Sequence, residues 1–385
     1  MIRAAGRTQQ AKVRRVNFAF DEDQEELRGT VRRFLGQHAA EPDIRRLMAT
    51  DDGDDPKLWE LMCTQLGLPA IAIPESYGGA GFTFIELGLV VEELGRALAC
   101  SPFFSTTVLA GRLLLSLGGG LAGAYLADIA AGAIRATVAL TEENGSWSPG
   151  QVTMRADGTA ADCRLTGVKA HVPDGATADL ILVVTRADDG LGVFAVNAAE
   201  PGLTRTPVPA LDLTRKRARL TFEAVPGRRL GGDATAAVAT MLRQAAVALA
   251  AEQAGGAQRV LEMAVEYAKV REQFGRPIGS FQAIKHQCAL MLAEVQSMKS
   301  AAYYGLWCVS SGSPDLPGVA SAAKVFCSDA YVHVTGENIQ IHGGIGFTWE
   351  HPAHLYFKRA QGSKFFLGSP DHHRQILAGL YGLSA

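Results

Sequence analysis

Cysteines at metal-binding or redox spacing are missing from this sequence. Its six cysteines (Cys63, Cys100, Cys163, Cys288, Cys308 and Cys327) form no CxxC or CxH pattern. That excludes a zinc frame and reads as free thiols in a reducing compartment. An excess of positive charge is also missing: 37 Lys and Arg stand against 39 Asp and Glu. No electrostatic footprint for nucleic acid follows. Apolar runs such as ALAAEQAGGA are broken by charge well before membrane-spanning length, so no membrane span is expected. The basic opening MIRAAGRTQQAKVRR has no apolar stretch behind it. Residues 1–17 therefore read as a flexible basic extension rather than a secretory signal, with the cytoplasm as the expected location. There is no GxGxxG opening a βαβ unit, no GxxxxGK[ST], no GxSxG and no HExxH, so a parallel nucleotide-binding sheet is unsupported. His351 and His354 lack a carboxylate or cysteine partner, and His372 and His373 are adjacent. These read as surface and capping histidines, and no metal is expected.

What is present is a long globular chain. Its 385 residues, 48% hydrophobic and 20% charged, imply two or three domains. Residues 18–133 read as helical: DEDQEELRGTVRRFLGQHA spaces Leu27, Val31 and Leu35 on one face behind an acidic first turn. PKLWELMCTQLG starts on Pro56 and stops at Gly67. Residues 134–232 change grammar. TVALTE, CRLTGVKAHV, DLILVVTR and GVFAVN are short β-branched runs broken by Gly, Asp and Pro, as in an antiparallel sheet domain. Residues 233–385 return to long helices, with Gly255 and Gly256 as close-packing points in the first of them.

Two C-terminal stretches could carry chemistry. REQFGRPIGSFQAIKH sets Arg271 and Phe274 three apart as the long helix ends, with Gly275 as its C-cap and Pro277 just past it. An arginine beside an aromatic could clamp a pyrophosphate and an adenine; a well-capped helical hairpin fits equally well. In QIHGGIGFTWEHP, Gly343 and Gly344 would let backbone approach a ligand closely, with the Gln340 amide nearby. Glycine pairs more often just turn a chain.

Together with IPESYGGAGF and ALTEENGS, these stretches occur in the order and spacing of the acyl-CoA dehydrogenase family, which the chain resembles from Phe18 onward. The resemblance implies a mainly α fold with a middle β-domain: an N-terminal helical domain, a β-barrel-like domain and a C-terminal four-helix bundle. It implies FAD, an acyl-CoA substrate, electron-transfer flavoprotein or a similar acceptor, and a tetramer built as a dimer of dimers. Carried over residue by residue, Arg271, Phe274, Gln340, Gly343 and Gly344 contact FAD from the neighbouring subunit, and Gln282 fits the same face. Thr141 and Ser369 fall at cofactor-facing positions.

The family chemistry is α,β-dehydrogenation, in which a carboxylate takes the α-proton while the flavin accepts the β-hydride. Here the resemblance breaks. Leu367, in FFLGSPDHH, stands where the base is expected, and leucine has no lone pair to accept a proton. The alternate base position on the long helix is Ala245, with Ala246 beside it in place of an arginine. Glu252 is the nearest acid, about two turns on along the same face, and Asp371 lies just past Leu367. A solvated or capping carboxylate is the plainer reading of each. Thr141-Glu142 is kept, but Glu143 replaces a proline. His171-Val172-Pro173 replaces the WxT-like segment that packs the flavin ring, and Pro173 has no N–H to offer. Lys358-Arg359 replaces arginine-aspartate. The half that serves a neighbour's FAD is kept, and the half that serves the chain's own site is eroded.

The expected function is α,β-dehydrogenation of an acyl-CoA, bulky or steroid-like, with a paralogous subunit supplying the base. Small residues at Ala245, Ala246 and Ala248 would leave room for bulk, or simply pack helices. The alternatives are a self-sufficient homotetramer with a non-standard base, and a flavin-free scaffold of the same fold.

Overall fold

Capping chemistry starts the first helices. In the computed structural model, which describes residues 20–158 and 163–383, Asp21 and Gln24 cap each other reciprocally at α1 (Glu22–His38). The extension at 1–17 lies outside the described residues. Helices α2 (Glu41–Met48) and α3 (Pro56–Thr64) carry proline in the first turn, where a missing N–H is no loss. The IPESYGGAGF loop is laced back on itself, Ala80 N–H to the Ala70 carbonyl and Phe82 N–H to that of Ile71. Thr83 and Glu86 then cap α4 (Phe84–Arg96). A buried π-helical segment, Phe104–Ala110, leads into α5 (Gly111–Leu117) and α6 (Gly120–Ala130).

The sheet follows: β1 (Ala136–Ala139), β2 (Ala156–Gly158), β3 (Cys163–Pro173), β4 (Leu180–Ala187), β5 (Gly190–Asn197), β6 (Leu203–Pro207) and β7 (Arg217–Arg229). Their order is β1-β4-β5-β7-β3-β2, with β6 also on β7. The expectation of an antiparallel, barrel-like domain is corrected here on two counts. β1 runs parallel to β4, so the sheet is mixed. No ladder joins β1 to β3, so the sheet is not closed. Isolated contacts bridge that gap: the Thr137 hydroxyl donates to the Pro173 carbonyl at 2.6 Å, that of Thr141 to the Ala170 carbonyl, and the Ala170 N–H to the Thr141 carbonyl at 2.9 Å. The strand pattern itself implies only a sheet; the barrel-like closure comes from the family resemblance, and the absent β1–β3 ladder overturns it. Strand β4 is buried on both faces, Ile181 and Val183 inside the sheet's own core and Leu180, Leu182 and Val184 against the helices. Its unbroken apolar run reflects that double burial.

Helix α7 (Thr235–Val270) packs against α4 and, on its other sides, against α8 (Gln282–Ser311) and α9 (Leu316–His342). Helices α10 (Ala353–Phe365) and α11 (Pro370–Leu380) cover α9. The α4–α7 contact is glycine-mediated in both directions. A Cβ on Gly255 would land on the Glu92 carbonyl, and one on Gly95 on the Glu252 carbonyl. Gly256 faces the Tyr331 hydroxyl in the same way, so both glycines read as packing points do pack. Gly255→Ala is expected to destabilise the chain by about 2–3 kcal/mol through overpacking against backbone that cannot yield, read as a lower Tm. An unchanged Tm would show that the two helices can separate freely. Among the described residues no helix is long and apolar enough to cross a membrane.

Candidate functional site

At the junction of the sheet with α4, α7 and α10 lies a buried ionic cluster. The loop before β7 presents Asp212, Thr214 and Arg215, α7 presents Glu252, and α10 presents Arg359; all five are buried. Arg359 Nη1 lies 3.0 Å from Glu252 Oε1, and its Nε lies 2.9 Å from Asp212 Oδ2. Its Nη2 donates to the Thr214 hydroxyl at 2.6 Å, and that hydroxyl donates to Asp212 at 2.5 Å. Arg215 Nη2 grips both oxygens of Glu252. Burial alone would lower the Arg359 pKa, but the charges of Asp212 and Glu252 outweigh it and hold the guanidinium above its ordinary value. Two arginines and two carboxylates balance. Glu252 is therefore neither solvated nor a cap, as the sequence suggested, and not a poised base: both its oxygens are occupied.

Aromatics complete the filling. The Arg215 guanidinium lies 4.8 Å from the Phe366 ring centre and 5.3 Å from that of Phe104, and Phe366 stands edge-on to Trp147 at 5.2 Å. The cavity left among Phe104, Pro173, Asp174, Arg215, Glu252 and Phe366 is about 30 Å³. That is room for one or two waters, with none for a flavin ring or an acyl chain. Asp174, beside it, takes the Ser105 hydroxyl at 2.5 Å and is pushed up to about 6 by burial.

The loop in the family's base position is pinned. Leu367 is buried with φ +62°, and its carbonyl meets His373 Nε2 at 2.9 Å. Lys324 donates to the Ser363 and Lys364 carbonyls at 3.1 and 3.0 Å, closing the end of α10. Ser369 caps α11 by accepting from the His372 N–H. Thr141 has its hydroxyl spent on Ala170. Glu142 serves the sheet, bound to Thr153, Met154 and Lys169, and is held down to about 2: burial would raise it, but Lys169 and these hydrogen bonds prevail. Ala245, Ala246 and Ala248 are fully buried in helix packing and open no space.

The other group of residues singled out from sequence sits together at the surface. Helix α7 stops at Val270, so Gly275 is not its C-cap. Phe274 (φ +54°) and Gly275 (φ +76°) instead make the two-residue turn between β8 (Glu272–Gln273) and β9 (Arg276–Pro277). A positive φ serves a helix end and a hairpin turn alike, which is why the sequence did not separate them. Phe274 is 92% exposed, a strained conformation and an unburied ring that the lone chain does not repay. Arg271 is exposed, and among the described residues its side chain has no charged partner. Gln282 opens α8 in the open, and Gln340 is exposed on the last turn of α9. Gly343 (φ +63°, ψ −142°) ends that helix in a conformation only glycine takes easily. A Cβ on Gly344 would meet nothing within 4 Å, so nothing within this chain accounts for its missing side chain. The sequence missed Asp212, Thr214 and Arg215, whose role depends on partners far along the chain, and Arg276, stacked over Phe281 at 4.2 Å.

Comparison with known proteins agrees with this architecture. Residues 21–133, 137–225 and 234–380 match the acyl-CoA dehydrogenase N-terminal, middle and C-terminal domains. The chain is 38% identical to the acyl-CoA dehydrogenase IpdE2 of Mycolicibacterium smegmatis, over 91% of this chain and 96% of that protein. It is 37% identical to the Mycobacterium tuberculosis IpdE2, over 93% and 96%. Among solved structures it resembles a variant of the Tcur3481–Tcur3483 steroid ACAD (TM-score 0.85, 32% identity, 94% and 98% of the two chains). It also resembles the ChsE4–ChsE5 complex of M. tuberculosis (TM-score 0.87, 29% identity, 96% and 100%). The chain belongs to the acyl-CoA dehydrogenase family of oxidoreductases.

Proposed function

We propose that this chain is one half of a paired acyl-CoA dehydrogenase, gripping part of an FAD whose flavin ring, substrate and base lie in a paralogous partner chain. The observation that carries this is the contrast between its two ends. The chain's own pocket is filled by Arg215, Phe366 and Phe104, whereas Arg271, Phe274, Gln340 and the Gly343-Gly344 turn are unburied. The residues present fit the dinucleotide portion of FAD and do not fit its ring.

When bound, FAD supplies the acceptor for the β-hydride. The residues of this chain do something simpler. Arg271 offers a forked cation to the pyrophosphate, Phe274 a flat face to the adenine, and Gln340 an amide donor. The glycines let backbone come close without a side chain in the way. The α-proton is taken by the partner, since neither Leu367 nor the occupied Glu252 can accept it. A complex with two of each subunit, a bulky steroid-like acyl-CoA, an electron-transfer flavoprotein acceptor and a cytoplasmic setting complete the reading. The named two-chain and steroid-acting relatives support its first two parts.

Leu367→Glu tests the closed pocket. In the isolated chain it is expected to give no measurable oxidation of acyl-CoA probes, because position 367 is buried on a loop pinned by His373 and the neighbouring cavity holds no substrate. Turnover should appear only when the chain is combined with a base-bearing paralogue. Robust turnover by the isolated variant would show that the chain's own site is usable.

A further inference from the structure

The clamp residues lie on two separate segments, the 272–277 hairpin and the turn after α9, and one aromatic stack joins them. Tyr267 lies one turn before Arg271. The Arg271 N–H donates to the Tyr267 carbonyl at 2.9 Å, and the Ile278 N–H donates to the Arg271 carbonyl at 2.8 Å, so the base of the hairpin hangs from this residue. His342, immediately before Gly343, stacks on the Tyr267 ring at 4.3 Å and 25°. The His351 ring lies against His342 too, tilted by 43° at 4.2 Å. Between them, Gly343 and Gly344 have no side chains with which to pack. Gly346 rests against His342 itself.

We propose that Tyr267, His342 and His351 are positioning residues, whose stack holds the Arg271 hairpin and the Gln340–Gly344 turn at the separation that a dinucleotide phosphate requires. This rests on the clamp reading above. The hydrogen bonds fix opposite tautomers. His342 Nδ1–H donates to the Asn338 carbonyl at 2.8 Å, whereas His351 Nδ1 accepts the Ala353 N–H at 3.2 Å at the start of α10. The acceptor role leaves the His351 ring neutral in the intact stack, and burial favours the neutral form of His342. A proton on His351 Nδ1 would remove the acceptor for Ala353, and protons on both rings would set like charges about 4 Å apart.

The groups facing the pair are Tyr267 from α7, His354 from α10, and Glu41 and Arg45 from α2. Burial pushes both histidines below the ordinary value; for His342 the Asn338 carbonyl partly offsets it, and for His351 the neighbouring His342 adds to it. A group lowered on folding favours the intact stack above its unfolded pKa of about 6.5, and that contribution is lost as pH falls through the lower folded value. The clamp is thus built to loosen in acid.

The test uses the purified two-chain holoenzyme, with FAD retention after desalting and amide exchange at 271–278 and 340–348 as readouts. His342→Ala and Tyr267→Leu are expected to weaken FAD retention at least about tenfold and to speed exchange in both segments. His342→Phe, which keeps a stacking ring, should restore most of the retention and flatten its fall from about pH 7.5 to 5.5. Unchanged retention and exchange in His342→Ala overturn the proposal. If Arg271→Ala releases FAD while His342→Ala does not, the stack inference alone fails. If neither releases it, the clamp reading fails too. Should His342→Ala not fold, the pH profiles of His342→Phe and the unmodified enzyme decide, and identical acid release in both overturns the proposal.

Discussion

Glu252→Ala is expected to cripple the fold rather than the chemistry. The substitution removes the carboxylate shared by Arg215 and Arg359, two guanidinium groups with side chains 8% and 4% exposed. Breaking a buried pair by deleting one partner leaves charge without compensation, worth about 3–5 kcal/mol. Asp212 still faces Arg359, but among the described residues no other carboxylate forms an ion pair with Arg215, whose Nη1 already lacks a hydrogen-bond partner. The result should be a lower Tm or insoluble chain. Glu252→Gln, which keeps the shape and an acceptor, should fall in between. Asp371→Ala is the control: Asp371 is exposed and among the described residues pairs only with Arg374, at 2.7 Å, so its loss should be nearly neutral. A Glu252→Ala chain with unchanged Tm and abolished turnover would make Glu252 a base after all.

Arg271→Ala should do the reverse, leaving the chain folded and stripping the flavin. Arg271 is exposed, its backbone bonds to Tyr267 and Ile278 do not involve the side chain, and no acid among the described residues depends on it. Tm of the isolated chain should not move. A desolvated arginine–pyrophosphate contact contributes on the order of 2–3 kcal/mol, so FAD affinity of the two-chain enzyme should fall about a hundredfold. Stoichiometric flavin surviving gel filtration of the variant would reduce this arginine to a surface cation.

The two predictions sit at opposite ends of what the sequence made legible. Helices, sheet and their order could be read from periodicity, and Gly255 and Gly256 from their position in a helix with no other reason for glycine. The surface group could be read because its spacing is local: Arg271 with Phe274, Gln340 with Gly343. The ionic cluster could not, because Glu252 meets Arg215 across 37 residues and Arg359 across 107. A lone glutamate within ALAAEQAGG signals burial without naming its partners. The contact of Thr141 was hidden for a related reason, since its hydroxyl donates to the Ala170 carbonyl on β3, 29 residues on.

Counting flavin in the co-purified two-chain enzyme, by absorbance against protein mass, tests the paired reading most directly. One FAD per unlike pair, with the isolated chain colourless, is the predicted result. An isolated chain that is yellow and active, carrying one FAD per protomer, would contradict it.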